Sequence, residues 1–475
     1  MTSPELGREP LLGELYCLRA ESPFPPEEAH VKEMEIGCSP ELRDTLEQMV
    51  SEKYFNAEGL RQALAGIVVG FSLEHIPRLD HDLITLGRDV YSAQSWRYAR
   101  INIEKGDLSR IHPPKCIMGT EFEGQFLELA NQAMAAYNQM VEMGIPKEDA
   151  RYVFPWSFDS NMVVTIQGPK LVDFAIDNLN SPYQAMRDMA EEVLQTLGQE
   201  LPMTIENLKR VAKQEGISFE DRMRIEEMRA AYLYGYEGEV IVHPLSFNPV
   251  GRAAVAAKTC WQEKPPSEFV TDFSREEQLR VLENIIESGH TSVTEHPHFL
   301  VMGAMSEANG QEIRRHRIPI RRAMTIWEAA KRYQVVIPPS IEANPRAKEL
   351  FLQTLGLSKA FIGKGRELGF PEPELDHGVL VMISVPTFLV TNATDILHIG
   401  KRRLCDRAQW ESRDWMFQIA EVSIKNYPEL FEELGPSCYK GKCQESKSCG
   451  HPEIYQQWRA GVEETLSLDS QKDKG

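Results

Sequence analysis

The chain has 475 residues, more than one compact core holds, and this length predicts two domains of ordinary size. With 42% hydrophobic and 26% charged residues it has the composition of a globular protein, which excludes the disordered and fibrous classes. The net charge of -19 argues against a nucleic-acid partner, because a surface that neutralises phosphates is basic.

Nothing in the sequence predicts a membrane partner or export. No apolar run has the length of a membrane span, and the start MTSPELGREP carries early acids and prolines instead of a signal peptide. The eight cysteines are sparse in a chain that can bury a large core, so reduced thiols are expected. We therefore expect a cytoplasmic protein.

One segment of the chain recurs. Gly144–Pro146 is followed by Arg151, by a strand-like apolar run and by a helix. Gly369–Pro371 is followed at the same spacings by Asp376, by a second strand-like run and by a second helix. The two segments align without gaps over roughly forty residues, which favours an internal repeat over a chance likeness of two strand–helix units.

The repeat and the composition divide the chain into four parts. We predict an N-terminal repeat at 1–201, a polar helical connector at 202–238, a C-terminal repeat at 239–455 and a polar tail at 456–475.

The C-terminal repeat is predicted to open with a strand at 239–242. Its first helix is predicted at 275–288, because apolar residues recur there at helical spacing and Gly289 follows them.

A basic run, Arg314–Arg317, interrupts the acidic background. A run of this kind is more often a solvated helix face than a site, so it needs support from other residues. Gly289–His296, upstream, places two histidines and a glutamate at a helix end, and Arg403–Glu411, downstream, places an arginine ahead of Ala-Gln-Trp-Glu.

In this order the three segments resemble the flavin-dependent thymidylate synthases (ThyX), and the likeness covers most of residues 239–450. The family pattern is a Gly-His-x-[ST] loop, an Arg-His-Arg triplet, a serine motif, an Ala-Arg strand and a late arginine. The resemblance implies an α+β fold built as two fused repeats, each a twisted, mainly antiparallel sheet flanked by helices. It also implies an FAD-dependent enzyme that methylates C5 of a pyrimidine mononucleotide, with methylenetetrahydrofolate and NADPH as co-substrates.

Family roles carry over to matching residues of the C-terminal repeat. The implied FAD-binding residues are His290, Ser292, Arg315, His316, Arg317 and Asn392. The resemblance implies that Arg315 also reaches the nucleotide. Guanidinium forks bind phosphate oxygens bidentately, which suits arginines to such a site. Arg403 matches the late arginine, and its implied role is both substrate-binding and catalytic. A guanidinium at the N3/O2 edge of uracil stabilises negative charge as it develops on the ring.

The family's nucleotide-binding residues, in the serine motif and the Ala-Arg strand, are divided unequally between the repeats. In the C-terminal repeat, Thr325 stands where the family has serine and Asp376 where it has a nucleotide-binding arginine. The N-terminal repeat retains both parts. Its stretch Tyr-Ser-Ala-Gln-Ser-Trp-Arg-Tyr places Ser95 and Arg97 at nucleotide-binding positions, and Arg151 matches the strand arginine.

The N-terminal repeat has lost the opposite parts. Residues 85–87 read Thr-Leu-Gly in place of the triplet, and Asn178 stands in place of the late arginine. These complementary losses predict one working composite site per chain, formed either within or between chains. Because family sites are assembled between subunits, we expect a homodimer that is a pseudo-tetramer of repeats.

The tail contains weak candidates for zinc ligands, Cys438, Cys443, Cys449 and His451. Their spacings match no common zinc motif and no Cys-x-x-Cys pair is present, so free cysteines in a loop are favoured and no metal is predicted.

Three functions follow from these observations. The leading hypothesis is conversion of dUMP to dTMP. The first alternative is the same chemistry on UMP or dCMP, because Thr325 and Asp376 change residues of the pocket. The second alternative is a non-catalytic homologue that binds flavin or nucleotide.

Overall fold

The structure is a computed structural model that describes residues 17–20, 30–79, 90–93, 110–218, 220–222, 224–225, 228, 239–316, 320–322 and 324–472. The chain forms two compact units. The N-terminal unit comprises Met1–Ile225 with Ala343–Leu380, and the C-terminal unit comprises Glu226–Glu342 with Val381–Gly475. This division by packing differs from division by repeat, and the predicted repeat boundaries stay a prediction.

The described strands are β1 (Cys17–Ala20), β2 (Val31–Gly37), β3 (Val68–Pro77), β4 (Val90–Ala93), β5 (Asp159–Gln167), β6 (Ile241–Pro244), β7 (His298–Ser306), β8 (Ile320–Arg322) and β9 (Ser384–Asn392). The described helices are α1 (Pro40–Glu52), α2 (Ala57–Ala63), α3 (Glu123–Glu142), α4 (Lys147–Ala150), α5 (Gly168–Leu179), α6 (Gln184–Leu197), α7 (Pro202–Glu215), α8 (Pro249–Thr259), α9 (Pro266–Phe269), α10 (Arg275–Glu287), α11 (Glu307–Arg314), α12 (Ile326–Arg332), α13 (Pro339–Glu342), α14 (Pro345–Glu367), α15 (Glu372–Leu375), α16 (Ala393–Arg403), α17 (Trp410–Asn426), α18 (Pro428–Phe431) and α19 (Glu453–Lys472). None of these helices is long and apolar enough to cross a membrane.

The described strands of each unit form one antiparallel sheet. The strand order is β1-β2-β3-β5-β4 in the N-terminal unit and β6-β7-β9-β8 in the C-terminal unit. Apart from β1, the two orders correspond strand for strand. The predicted α+β fold of two repeats, each an antiparallel sheet flanked by helices, is confirmed.

The same backbone hydrogen bonds recur at the ends of β3 and β7, which are corresponding strands of the two repeats. The first two N–H groups after β3 and after β7 donate to carbonyls just ahead of β5 and β9. The four bonds are Arg78 N to Phe158 O at 2.7 Å, Leu79 N to Trp156 O at 3.1 Å, Glu307 N to Ile383 O at 3.0 Å and Ala308 N to Val381 O at 3.0 Å. This agreement supports the internal repeat at the level of single peptide groups.

Long helices α3 and α14 end in the same way. Gly144 follows α3 with φ +85° and Gly369 follows α14 with φ +79°, a left-handed conformation that glycine adopts without steric cost. The residue after each glycine donates its N–H to the carbonyl five residues before it, at 3.0 Å in both cases.

The segment Ala343–Leu380 belongs to the second repeat by sequence and to the N-terminal unit by packing. Phe361 of α14 stacks on Phe122 with ring centroids 4.8 Å apart, and Phe370 stacks on the same ring at 5.1 Å. The region predicted as a connector begins with α7, whose apolar side chains Leu208 and Val211 are buried in this unit.

The core of the C-terminal unit lies between its sheet and the helices α8, α10, α16 and α17. The predicted helix at 275–288 is α10, but α8 precedes it, so its prediction as the first helix was wrong. Helix α8 is rich in alanine and has few large apolar side chains to mark its buried face. The predicted strand at 239–242 lies two residues further on, as β6.

Candidate functional site

Helix α11 carries charged side chains into the C-terminal unit. It follows β7 directly, and Ser306 caps it by accepting the N–H of Asn309 at 3.0 Å. All eight of its residues are buried. Because a buried charge needs a partner of opposite charge, the Arg314 side chain pairs with Glu307, with Nη2 3.1 Å from Oε2.

Glu312, also on α11, pairs with two arginines of the predicted site. Its Oε1 lies 3.3 Å from Arg315 Nη2, and its Oε2 lies 3.4 Å from Arg403 Nη1. The Glu312 backbone carbonyl accepts a further hydrogen bond from Arg403 Nη2. The carboxylate is 1% exposed, whereas the Arg315 side chain is 35% exposed. Arg403, at the end of α16, is thereby joined to the arginine–histidine segment.

His316 supplies the third acceptor for Arg403, whose Nε donates to His316 Nε2 at 2.8 Å. Burial, followed by the charge of Arg403, lowers the pKa of His316 to about 3. The imidazole is therefore neutral at pH 7, and because Nε2 accepts, the ring proton resides on Nδ1. Three acceptors from residues 312–316 thus hold all three nitrogens of one guanidinium.

The Ala-Gln-Trp-Glu segment lies at the start of α17 and is hydrogen-bonded to the start of α11. Gln409 caps α17 by accepting the N–H of Ser412 at 2.9 Å. Glu411 Oε1 accepts the backbone N–H of Ser306 at 2.6 Å, and its Oε2 accepts the Ser306 hydroxyl at 2.5 Å. This part of the motif is structural, since it fixes the point where α11 begins.

The predicted Gly-His loop forms the 3-10 turn Thr291–Glu295, and both His290 and Ser292 are exposed. Thr294 within the turn shares a hydrogen bond of 2.6 Å with Thr394 of α16. The loop is therefore attached to the first turn of the helix that ends with Arg403.

Asn392 caps that same helix, because its Oδ1 accepts the N–H of Asp395 at 2.9 Å. Helix α16 accordingly begins and ends at residues of the predicted site, Asn392 and Arg403.

The family model of the thymidylate synthase complementing proteins matches residues 32–203 and 245–429, most of the chain. The chain belongs to this family.

Curated relatives agree with that assignment. A flavin-dependent thymidylate synthase of Clostridium tetani is 26% identical over an alignment of 222 residues, and the alignment covers 43% of this chain and 89% of the relative. Proteins of the same name from Geobacter sulfurreducens and Nitratidesulfovibrio vulgaris are 24% and 30% identical, with 43% and 38% of this chain aligned to 90% and 78% of the relatives. An aligned part of less than half of this chain thus covers most of the length of each relative. The resemblance inferred from the motifs, including the tandem duplication, is confirmed.

The structure brings three of the predicted family residues together in the C-terminal unit, namely Arg315, His316 and Arg403 around Glu312. His290 directly precedes the 3-10 turn whose Thr294 is hydrogen-bonded to Thr394 of α16, and Asn392 caps α16. Their roles in binding a ligand stay predictions.

Arg151, the predicted nucleotide-binding arginine, lies in the N-terminal unit and is 1% exposed, with Nε donating to the carbonyl of Glu148 at 3.1 Å. Asp376 occupies the equivalent turn in the second repeat and is buried with Tyr183, whose hydroxyl donates to Oδ2 at 2.8 Å. Asn178 donates within its own helix, to the carbonyl of Phe174.

Three predicted residues, Ser95, Arg97 and Arg317, lie outside the described residues. Thr325, at the family's serine position, caps α12, since its Oγ1 accepts the N–H of Glu328 at 3.3 Å.

Of the zinc candidates, Cys438, Cys449 and His451 border one cavity, which Cys405 also lines. Cys443 is exposed. Among the residues that the structure describes, no three His, Cys, Asp or Glu side chains are placed so that they could hold a metal ion.

Sequence reasoning missed Glu312. Its position three residues before Arg315 in a helical segment is the spacing at which opposite charges meet on one helix face, and this signal could have identified the pair. The contact with Arg403 had no such local signal.

Proposed function

We propose that the chain is a flavin-dependent thymidylate synthase that converts dUMP to dTMP, with methylenetetrahydrofolate and NADPH as co-substrates. The observation that carries this proposal is the fixed guanidinium of Arg403 beside the arginine–histidine segment of the family pattern. When bound, FAD would pass reducing equivalents from NADPH to the methylene group that is transferred to the pyrimidine.

The donors of the C-terminal unit suit the diphosphate of FAD. Arg315 is a partly exposed cation, and the exposed His290 and Ser292 add an N–H and an O–H donor. A guanidinium and several N–H or O–H donors are the groups that bind phosphate oxygens well. Arg315, His290 and Ser292 would therefore hold the cofactor, together with Arg317 from the sequence pattern.

The chemical role of this chain's own residues centres on Arg403. C5 of uracil becomes nucleophilic only when negative charge gathers on the ring, and a fixed guanidinium at the ring edge stabilises that charge. Because Arg403 is held at all three nitrogens before substrate arrives, little reorganisation is needed during the reaction. Neutral His316 orients the guanidinium and adds no charge of its own near pH 7.

The test is dTMP formation from dUMP with methylenetetrahydrofolate and NADPH, with UMP and dCMP in parallel assays. Arg403→Ala should lower kcat by at least about a hundredfold with a smaller change in nucleotide affinity. Arg402→Ala is the matched control, because Arg402 is the preceding residue of the same helix, half exposed and paired with Glu445.

Each outcome separates the three hypotheses. Methylation of UMP or dCMP in preference to dUMP would assign another substrate, and flavin binding without turnover of any of them would indicate a non-catalytic homologue. An Arg403→Ala enzyme as active as the Arg402→Ala enzyme would remove Arg403 from the reaction.

Two further proposals concern stoichiometry and the nucleotide. We infer one FAD per chain and a homodimer of 54.1 kDa chains, from the complementary losses in the two repeats. Flavin titration measures the number of FAD molecules per chain, and sedimentation measures the oligomeric state. Two flavins per chain would contradict the proposed stoichiometry.

Arg151→Ala should weaken nucleotide binding by about one to two powers of ten, since a charge-assisted hydrogen bond contributes roughly 1.5 to 3 kcal/mol. Unchanged affinity would exclude Arg151.

A further inference from the structure

We propose that Glu312 is a positioning residue for Arg403 and that its carboxylate sets the net charge of the site. The inference rests on the proposed function, since it concerns how the chain prepares Arg403 for a pyrimidine nucleotide. It starts from the two ion pairs of one buried carboxylate, at 3.3 Å to Arg315 and 3.4 Å to Arg403.

The contacts constrain the guanidinium of Arg403 from two sides. Glu312 offers both its carboxylate and its backbone carbonyl, one to each terminal nitrogen, while His316 accepts from Nε. A planar group held at three nitrogens has no freedom to turn about its last torsions. Because Glu312 lies on a helix whose residues are all buried, the groups that hold Arg403 are themselves rigid.

The carboxylate also changes the charge that a ligand meets. Arg315 and Arg403 contribute two positive charges, Glu312 contributes one negative charge, and His316 is neutral because burial lowers its pKa to about 3. The group therefore carries a net charge of about +1 with the carboxylate and about +2 without it. A nucleotide phosphate is attracted more strongly in the second case.

These two effects act in opposite directions on binding and turnover. Loss of the carboxylate releases one anchor of Arg403, which lowers the rate of the step that Arg403 assists. The same loss leaves the attraction for an anionic nucleotide unchanged or increased. A residue with a merely structural role would weaken both properties together.

The chain supplies a matched control on the same helix. Glu307 is 2% exposed, and its carboxylate lies 3.1 Å from the guanidinium of the buried Arg314. Arg314 is not one of the predicted site residues. Glu307→Gln removes a buried carboxylate from α11, as Glu312→Gln does, but leaves every contact of Arg403 described above in place.

The experiment compares Glu312→Gln and Glu307→Gln in the holoenzyme, with kcat measured by dTMP formation and nucleotide affinity by perturbation of flavin absorbance. We expect Glu312→Gln to lower kcat by about 10- to 100-fold while the Kd of dUMP stays equal or falls by up to about threefold. Glu307→Gln should lower thermal stability and change kcat by less than about threefold. In an Arg403→Ala background, Glu312→Gln should have little further effect on kcat, because the residue acts through Arg403.

Failure of the inference is distinguishable from failure of the proposed function. Absence of dTMP formation by the wild-type enzyme refutes the proposed function. The inference is overturned if the wild type is active and the two glutamine variants have equal kcat values. It is also overturned if Glu312→Gln lowers kcat as much in the Arg403→Ala background as in the wild type. If Glu312→Gln does not fold, Glu312→Asp keeps the charge and shortens the anchor, so it should lower kcat without tightening dUMP binding. An Asp variant with wild-type kcat would also overturn it.

Discussion

His377 gives the N-terminal unit a pH-dependent stability that a single substitution should remove. The side chain is 1% exposed, in the 3-10 turn Asp376–Gly378, and its backbone carbonyl accepts the N–H of Ser157 at 3.2 Å. Burial is the main cause that lowers the pKa of His377 from 6.5 to about 4. In the folded chain this imidazole therefore stays neutral until the pH falls to about 4.

The sign of the effect follows from the two protonation equilibria. Between pH 6.5 and about 4 the unfolded chain binds a proton at His377 and the folded chain does not, so stability is complete above pH 6.5 and is lost as the pH falls. Each pKa unit is worth about 1.4 kcal/mol, which makes the loss between pH 7 and pH 5 about 2 kcal/mol for this one histidine.

The test is His377→Phe, because Tyr152 shows that the equivalent turn of the other repeat accommodates a buried aromatic ring. Urea unfolding at pH 7, 6 and 5, followed by circular dichroism, should show that the variant loses about 2 kcal/mol less than the wild type over this range. Any packing cost of the larger ring is the same at each pH and cancels in that comparison. Equal pH dependence in the two proteins would refute the assignment of His377 as a neutral buried base.

Three further substitutions should change the stability in urea. Gly168→Ala should destabilise the N-terminal unit by about 2 to 3 kcal/mol, because a Cβ at Gly168 would lie 2.0 Å from the carbonyl oxygen of Leu64. Gly356→Ala, in open space on α14, should instead stabilise it by about 0.5 to 1 kcal/mol, and equal effects of the two substitutions would contradict this account. Glu411→Gln should destabilise the C-terminal unit by about 1.5 to 3 kcal/mol, since it places an amide against the Ser306 donors; an unchanged unfolding midpoint would show that those hydrogen bonds contribute nothing.

The sequence by itself determined what depends on local pattern. The internal repeat marked by Gly144 and Gly369 and the helix at 275–288 could both be predicted, because equal spacings and helical periodicity can be seen in neighbouring residues. The family pattern located Arg315 and Arg403 as well, through the order of short motifs.

Tertiary structure alone decided which residues meet. Glu312 and Arg403 are 91 residues apart, and nothing in either neighbourhood specifies that the carboxylate of one faces the guanidinium of the other. The same holds for Ala343–Leu380, which belongs to the second repeat by sequence yet packs with the N-terminal unit through Phe361 and Phe122. Hydrophobic periodicity predicts which face of a helix or strand is buried, but it does not predict which element packs against that face. The partner is chosen by the shape and charge of surfaces that exist only once the helices and sheets have formed.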